Sequence, residues 1–217
     1  MKNQVILFDL DGTLTDPKTG ITKSVQYALR KFNIIESNLD CLIPFIGPPL
    51  SESFQEFYSL SPAEAQAAVG YYREYFTRAG MYENAVYPGI EAMLTRLAAT
   101  GRELIIATSK PTVYSEQIIA HFGLERFFKA IVGSQLDGSR IHKAEIIAYI
   151  LSQMPEVAPA GVIMVGDRKH DIIGAKSNGL DSVGVSYGYG GVAELRQANA
   201  SYIAASVAEL ENLLISL

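Results

Sequence analysis

Two carboxylates two residues apart, Asp9 and Asp11, close the apolar run Val5-Ile6-Leu7-Phe8 and are followed at once by Gly12 and Thr13. A short apolar run of this kind predicts a buried strand, and a strand sets residues i and i+2 on one face. Both acids therefore point the same way at the strand's C-terminal end, where open α/β sheets bind ligands. Neighbouring carboxylates at neutral pH either share a proton or hold a cation. The plainer alternative is a turn-and-cap pair, since Asp-Gly commonly ends strands.

Three further places repeat the pattern of a polar residue at a strand or helix end. Thr108 and Ser109 follow the run Leu104-Ile105-Ile106-Ala107, which puts a hydroxyl and turn amides there. Lys143 begins a helical stretch after the turn Asp137-Gly138-Ser139. Gly166-Asp167-Arg168-Lys169-His170-Asp171 follows Val162–Val165; in a helix starting there, Asp167 and Asp171 lie four apart on one face. That helix stops at Asn178-Gly179. Each has a structural reading beside the chemical one. Thr108 could cap the next helix, Lys143 could be a solvated lysine beside Arg140 and His142, and Asp171 could cap or pair with Lys169 or Arg168. His170 reads as a rim residue and His121 as packing at a helix end.

Positioning these residues takes strands that alternate with helices. Besides residues 4–8, short β-branched runs occur at 103–107, 130–132, 162–165, 182–185 and 202–204. Helical patterns lie at 89–100, 112–122, 141–153, 170–178, 191–198 and 206–215. Alternation of this kind implies an α/β fold with a doubly wound, Rossmann-like parallel sheet. Residues 16–85 break the rhythm, with helices only at 20–33, 51–59 and 62–80. The reading is a core of 1–15 and 86–217 carrying an all-helical insertion, 16–85, that could act as a lid.

In order along the chain, Asp9-Leu10-Asp11-Gly12-Thr13, Thr108, Lys143, and Gly166-Asp167 with Asp171 resemble the four motifs of the haloacid-dehalogenase phosphatases. The likeness is to the phosphoglycolate-phosphatase-like type with a helical cap, and it spans essentially the whole chain. It implies a magnesium-dependent hydrolysis of small phosphate monoesters through an aspartyl-phosphate. By that resemblance Asp9 is the nucleophile and Asp11 the acid/base. Asp9, the Asp11 backbone carbonyl and Asp167 hold Mg2+, with Asp171 orienting a ligand or ligating directly. Thr108, Lys143 and amides near Leu10 and Ser109 hold the phosphoryl oxygens.

Gly166–Gly179 with Ile46-Gly47-Pro48-Pro49 looks most like the 5′-nucleotidase branch, so a nucleoside 5′-monophosphate is the favoured substrate and phosphoglycolate the alternative. Gly47 is the substrate-facing candidate of the insertion, with Lys23 and Arg73 as candidate cations; Tyr71, Tyr72, Tyr75 and Phe76 read as cap core. A phosphosugar mutase or an inactive phosphate-binding module remains the more distant alternative. Asp11 argues against dehalogenation, which has no leaving alkoxide to protonate.

Bulk properties bound the partners. A net charge of −5 without a basic block gives no support to binding of nucleic-acid polymers or anionic membranes. Cys41 is the single cysteine, which excludes an intrachain disulfide and a cysteine-rich zinc site. No run approaches the ~20 apolar residues of a membrane span, and the first apolar run is too short for a signal peptide. A cytoplasmic monomer or homodimer is the expectation. Gly188-Tyr189-Gly190-Gly191 lacks dinucleotide-binding spacing and reads as a flexible loop at the end of the Val183–Val185 run, where it could line the site.

Overall fold

A computed structural model describes residues 4–217; residues 1–3 of the expected core segment lie outside them. Strand β1 (Val5–Phe8) is an apolar tetrapeptide buried throughout, the pattern of a central strand covered on both faces. Two-residue strands β2 (Thr15–Asp16) and β3 (Ala85–Val86) form a small separate sheet. The main sheet adds β4 (Glu103–Pro111), β5 (Ala130–Ser134), β6 (Val162–Gly166), β7 (Asp181–Val185) and β8 (Tyr202–Ala204). Its order is β5-β4-β1-β6-β7-β8, with every pair parallel. The chain builds outward on one side of β1 and then on the other, so the winding reverses at β1. That is the place where a doubly wound sheet opens a ligand crevice.

The chain divides into two compact units, residues 1–16 with 86–217 and residues 17–85. Asp16 thus stays with the first unit, one residue beyond the boundary read from the sequence. The second unit holds α1 (Lys18–Arg30), α2 (Leu50–Tyr58) and α3 (Pro62–Tyr75). The first adds α4 (Ile90–Ala99), α5 (Thr112–His121), α6 (Lys143–Ser152), α7 (Lys169–Ser177), α8 (Gly191–Gln197) and α9 (Val207–Ser216).

Strand periodicity builds the core of the first unit. Val5 and Leu7 of β1, Ile105 of β4 and Met164 of β6 pack with Ile146, Ile147 and Ile150 of α6. Phe8, next in alternation, meets the edge of Phe128 instead. Gly174 of α7 lets α6 approach: a Cβ there would stand 2.9 Å from Lys143 Cγ.

In the second unit, Ser61 caps α3 by accepting from the Glu64 amide, and Glu64 returns a bond to the Ser61 amide. Pro62 occupies the first helical position, where its missing N–H costs no bond. Tyr72 and Phe76 stack in the interior, Tyr71 meets Phe32, and Tyr75 meets Tyr27, so the tyrosine cluster is cap core.

The elements themselves depart from the sequence reading in several local places. Instead of ending at Ala107, β4 runs to Pro111. Four steps from Ala107 to Pro111 face two from Val132 to Ser134, so Thr108–Lys110 bulge out of the ladder. The helix expected over 62–80 stops at Tyr75 and continues as a π-helical turn, Phe76–Gly80. Leu39–Phe45 forms a 3₁₀ helix that the sequence did not suggest.

Candidate active site

The first acid stands one residue past β1. The Asp9 amide still donates to the Val165 carbonyl, 2.8 Å, which continues the pairing with β6. Immediately after it the chain curls: the amides of Thr13, Leu14 and Thr15 all converge on the Leu10 carbonyl. Gly12 makes this turn at φ +83°, where a side chain is strained. A Cβ on Gly12 would also fall 2.2 Å from Asp167. Strand alternation is therefore not what aligns Asp9 with Asp11, as the sequence reading supposed; the strand ends at Phe8 and this turn places the second acid.

Both acids are buried, and each has its own lysine. Lys143, the first residue of α6, is 4 % exposed and reaches Asp9 at 2.9 Å, Asp171 at 2.8 Å and the Ala107 carbonyl at 2.7 Å. Burial works against its charge, yet Asp171 and Asp9 hold the ammonium above the ordinary lysine pKa. Lys143 is thus neither solvated nor replaced by its neighbours Arg140 and His142. Asp11 instead pairs with Lys110 at 2.7 Å. Burial pushes the Asp11 carboxyl upward, against the pull of Lys110. Its Oδ1 has no hydrogen-bond partner among the described residues, nor has the hydroxyl of Thr13.

Asp167 and Asp171 complete the cluster from the end of β6. Because α7 begins at Lys169, Asp167 lies in the turn before it; the two acids do not share a helix face, contrary to the sequence reading. Asp171 lies in the first turn, where its Oδ2 accepts from the Arg168 amide at 3.1 Å while Lys143 meets its other oxygen. Its capping and charged roles therefore coexist. Asp9, Asp167 and Asp171 each offer an oxygen, all within 4.8 Å of one another. Gly166 makes room, since a Cβ there would overlap the Asp171 carboxylate at 2.1 Å. Burial, then the charges of Asp171 and Asp9, drives the Asp167 carboxyl well above the usual carboxylate range. Lys143 brings one positive charge to three carboxylates, and Asp167 Oδ1 has no hydrogen-bond partner among the described residues. A dry, all-oxygen, under-neutralised cluster fits a hard divalent cation such as Mg2+.

Thr108 and Ser109 lie on the bulge at the end of β4. Thr108 is buried, with its hydroxyl accepting from the Lys110 amide at 3.3 Å; the Ser109 carbonyl accepts from Ser134 at 2.8 Å. The structure therefore brings Asp9, Asp11, Thr108, Lys143, Asp167 and Asp171 to the C-terminal ends of β1, β4 and β6 and the start of α6. Gly47 belongs to the second unit, in the Phe45–Leu50 segment at φ +106°. Of the cap cations, Lys23 is paired with Glu83 at 2.7 Å and Arg73 is half-buried. His170 is half-buried, as a rim residue would be, and its imidazole pKa is lowered to about 4 by burial and then by Arg168. His121 closes α5 at the surface against Phe122.

Sequence reasoning missed Lys110, and for the loop after β7 it allowed a place lining the site without the contact to Asp167. Lys110 gave no local signal, because it meets Asp11 from the bulge that follows Ala107. The loop was read as flexible, yet the Tyr189 amide donates to Asp167 Oδ2 at 2.7 Å. Among the described residues no helix is long and apolar enough to cross a membrane.

Comparison with known proteins agrees with this geometry. Residues 6–185 match the family of haloacid dehalogenase-like hydrolases. A 5′-nucleotidase of Pseudomonas aeruginosa is 47 % identical, over 97 % of this chain and 95 % of that protein. Tyrosine-protein kinase PtkA of Mycobacterium tuberculosis is 38 % identical over 86 % of this chain, which spans 63 % of PtkA. The crystal structure of a predicted phosphatase from Clostridium acetobutylicum superposes with a TM-score of 0.98 at 49 % identity, covering all of both chains. The chain belongs to the haloacid dehalogenase-like hydrolases and is a phosphatase of that family.

Proposed function

We propose that this phosphatase is magnesium-dependent and hydrolyses nucleoside 5′-monophosphates through a phosphorylated Asp9. The observation that carries the chemistry is the division of labour between two buried acids two residues apart. Asp9 is held by Lys143 beside the acidic cluster, whereas Asp11 pairs with Lys110 and has its carboxyl pKa raised. A carboxylate paired with a buried ammonium suits a nucleophile, and one whose burial favours its protonated form suits a general acid.

In the first half-reaction a carboxylate oxygen of Asp9 forms a bond to phosphorus as the bond to the ester oxygen breaks. Asp11 delivers its proton to that departing oxygen, releasing the nucleoside. In the second, Asp11 takes a proton from water as the water oxygen bonds to phosphorus. The phosphorus–Asp9 bond breaks, inorganic phosphate leaves, and both acids return to their starting states. Lys143, Thr108 and amides near Leu10 and Ser109 hold the phosphoryl oxygens, so positioning and charge compensation carry most of the rate. Mg2+, held by Asp9, the Asp11 carbonyl and Asp167 with Asp171 supporting, would offset repulsion between the dianionic ester and the carboxylates.

The nucleotide is favoured by the 5′-nucleotidase of Pseudomonas aeruginosa, with which this chain shares 47 % of its residues. The test is kcat/KM across nucleoside monophosphates, phosphoglycolate, sugar phosphates and phosphotyrosine, each with Mg2+ and with chelator. Nucleoside monophosphates ranking first, and only with Mg2+, is the expected result. A higher rank for phosphoglycolate would move the substrate to the alternative. Undiminished activity in chelator would remove the metal.

A further inference from the structure

The loop between β7 and α8, residues 186–190, takes no part in the steps above, yet it grips Asp167 closely. The Tyr189 amide donates to Asp167 Oδ2 at 2.7 Å. Gly188 and Gly190 press against the same residue: a Cβ on Gly188 would lie 2.4 Å from Asp167 Cβ and from the Gly12 carbonyl, and one on Gly190 2.2 Å from the Asp167 carbonyl. A backbone between two glycines has little rigidity of its own, so something else must fix it. Two phenols do. The Tyr187 hydroxyl donates to the Thr13 carbonyl at 2.9 Å, and the Tyr189 hydroxyl donates to the Asp16 carboxylate. Tyr87 packs edge-on against Tyr187. The loop is thereby tied at both tyrosines to residues 13–16, the stretch that follows the two catalytic acids.

These ties have a directional consequence. With Oδ2 of Asp167 held by an amide, its Oδ1 is left without a hydrogen-bond partner among the described residues, in the cluster with Asp9 and Asp171. We propose that Tyr189 is a positioning residue for cation binding: its hydroxyl bond to Asp16 fixes the loop whose amide aims the Asp167 carboxylate at the cation. The inference rests on the reading of Asp167 as a metal ligand. Outer groups that orient a ligand commonly change metal affinity by about 10–100-fold when removed.

The experiment is calorimetric titration of Mg2+ into the full chain and into Tyr189→Phe, Asp16→Ala, the double variant, Gly188→Ala and Asp167→Asn. Each single loss of the Tyr189–Asp16 bond is expected to raise the Mg2+ Kd about tenfold. The double variant should bind no more weakly than either single one, because both remove the same link. Gly188→Ala, which moves Asp167 directly, is expected to weaken binding at least as much without touching a hydroxyl. In activity assays on Tyr189→Phe, the Mg2+ concentration for half-maximal rate should rise more than kcat at saturating Mg2+ falls. A wild-type Kd in Tyr189→Phe, or additive losses in the double variant, would overturn the positioning role. Unchanged Mg2+ binding in Asp167→Asn would instead overturn the underlying assignment of Asp167.

Discussion

The two units of the molecule use charge in opposite ways. In the first, Asp9, Asp11, Asp167, Asp171, Lys110 and Lys143 are all buried or nearly so, with Lys110 paired to Asp11 and Lys143 to Asp9 and Asp171. In the second, the ion pairs Lys18–Asp40 and Lys23–Glu83 lie at or near the surface. Its interior is aromatic instead: Phe45 packs against Phe54, Phe57 and Tyr58. Buried charges rarely return in stability what desolvation takes from them, and surface pairs contribute little either way. The buried charges of the first unit, unlike its surface pairs Arg126–Glu91 and Lys129–Glu103, are therefore best explained by chemistry, and the aromatics of the second by packing. The contrast separates a unit where few substitutions are tolerated from one where side chains can vary while the reacting groups stay fixed.

That separation predicts a descending series of effects. Asp9→Asn removes the nucleophile and should lower kcat by at least about 10⁴-fold, in line with losses of catalytic nucleophiles elsewhere; a near-normal rate would end the covalent account. Thr108→Val should lower kcat by about 10²–10³-fold, the usual loss of one donor to developing charge, with far less change in melting temperature. Lys110→Met leaves Asp11 without its ion partner and should cost about 10²-fold in kcat, as misplacement of a reacting group does. If all three left activity intact while destabilising the fold, the first unit's charges would be structural and the contrast would vanish.

Substitutions in the second unit should show the reverse profile. Phe54 is fully buried, and Phe54→Ala should cost about 3–5 kcal/mol of that unit's stability. Below the unfolding transition its effect should fall on KM and substrate ranking more than on kcat for a small ester. Ser61→Ala removes the α3 cap, and about 1 kcal/mol with it, visible in denaturant melts and absent from kinetics.

How far the sequence could be read follows the same division. The sheet was legible because β1 and β6 are unbroken apolar runs, and each break between runs carries a turn signal such as Asn178-Gly179. Asp9, Asp11, Thr108, Lys143, Asp167 and Asp171 were legible because short-range spacing at strand ends put them in view. What escaped depends on contacts distant in sequence. Lys110 meets Asp11 across 99 positions of chain, and the bulge that presents it arises from β4 outrunning β5, which no local pattern encodes. Tyr187 and Tyr189 are hydrogen-bonded to Thr13 and Asp16 more than 170 residues earlier. A Gly-Tyr-Gly-Gly stretch looks flexible until those anchors are known. In the second unit, the π-helical turn at Phe76–Gly80 escaped because Gly20 and Gly80 abut, and a Cβ on Gly20 would reach 1.8 Å from the Gly80 carbonyl.

The claim on which the rest depends is that the phosphoryl group passes through Asp9 on its way to water. Each displacement at phosphorus inverts its configuration, so the number of displacements is recorded in the product. Hydrolysis of an isotopically chiral phosphorothioate monoester in labelled water by the wild-type enzyme reads that record directly. Two in-line steps predict inorganic thiophosphate with overall retention at phosphorus. Inversion would mean that water attacks the ester in one step, and would contradict the account.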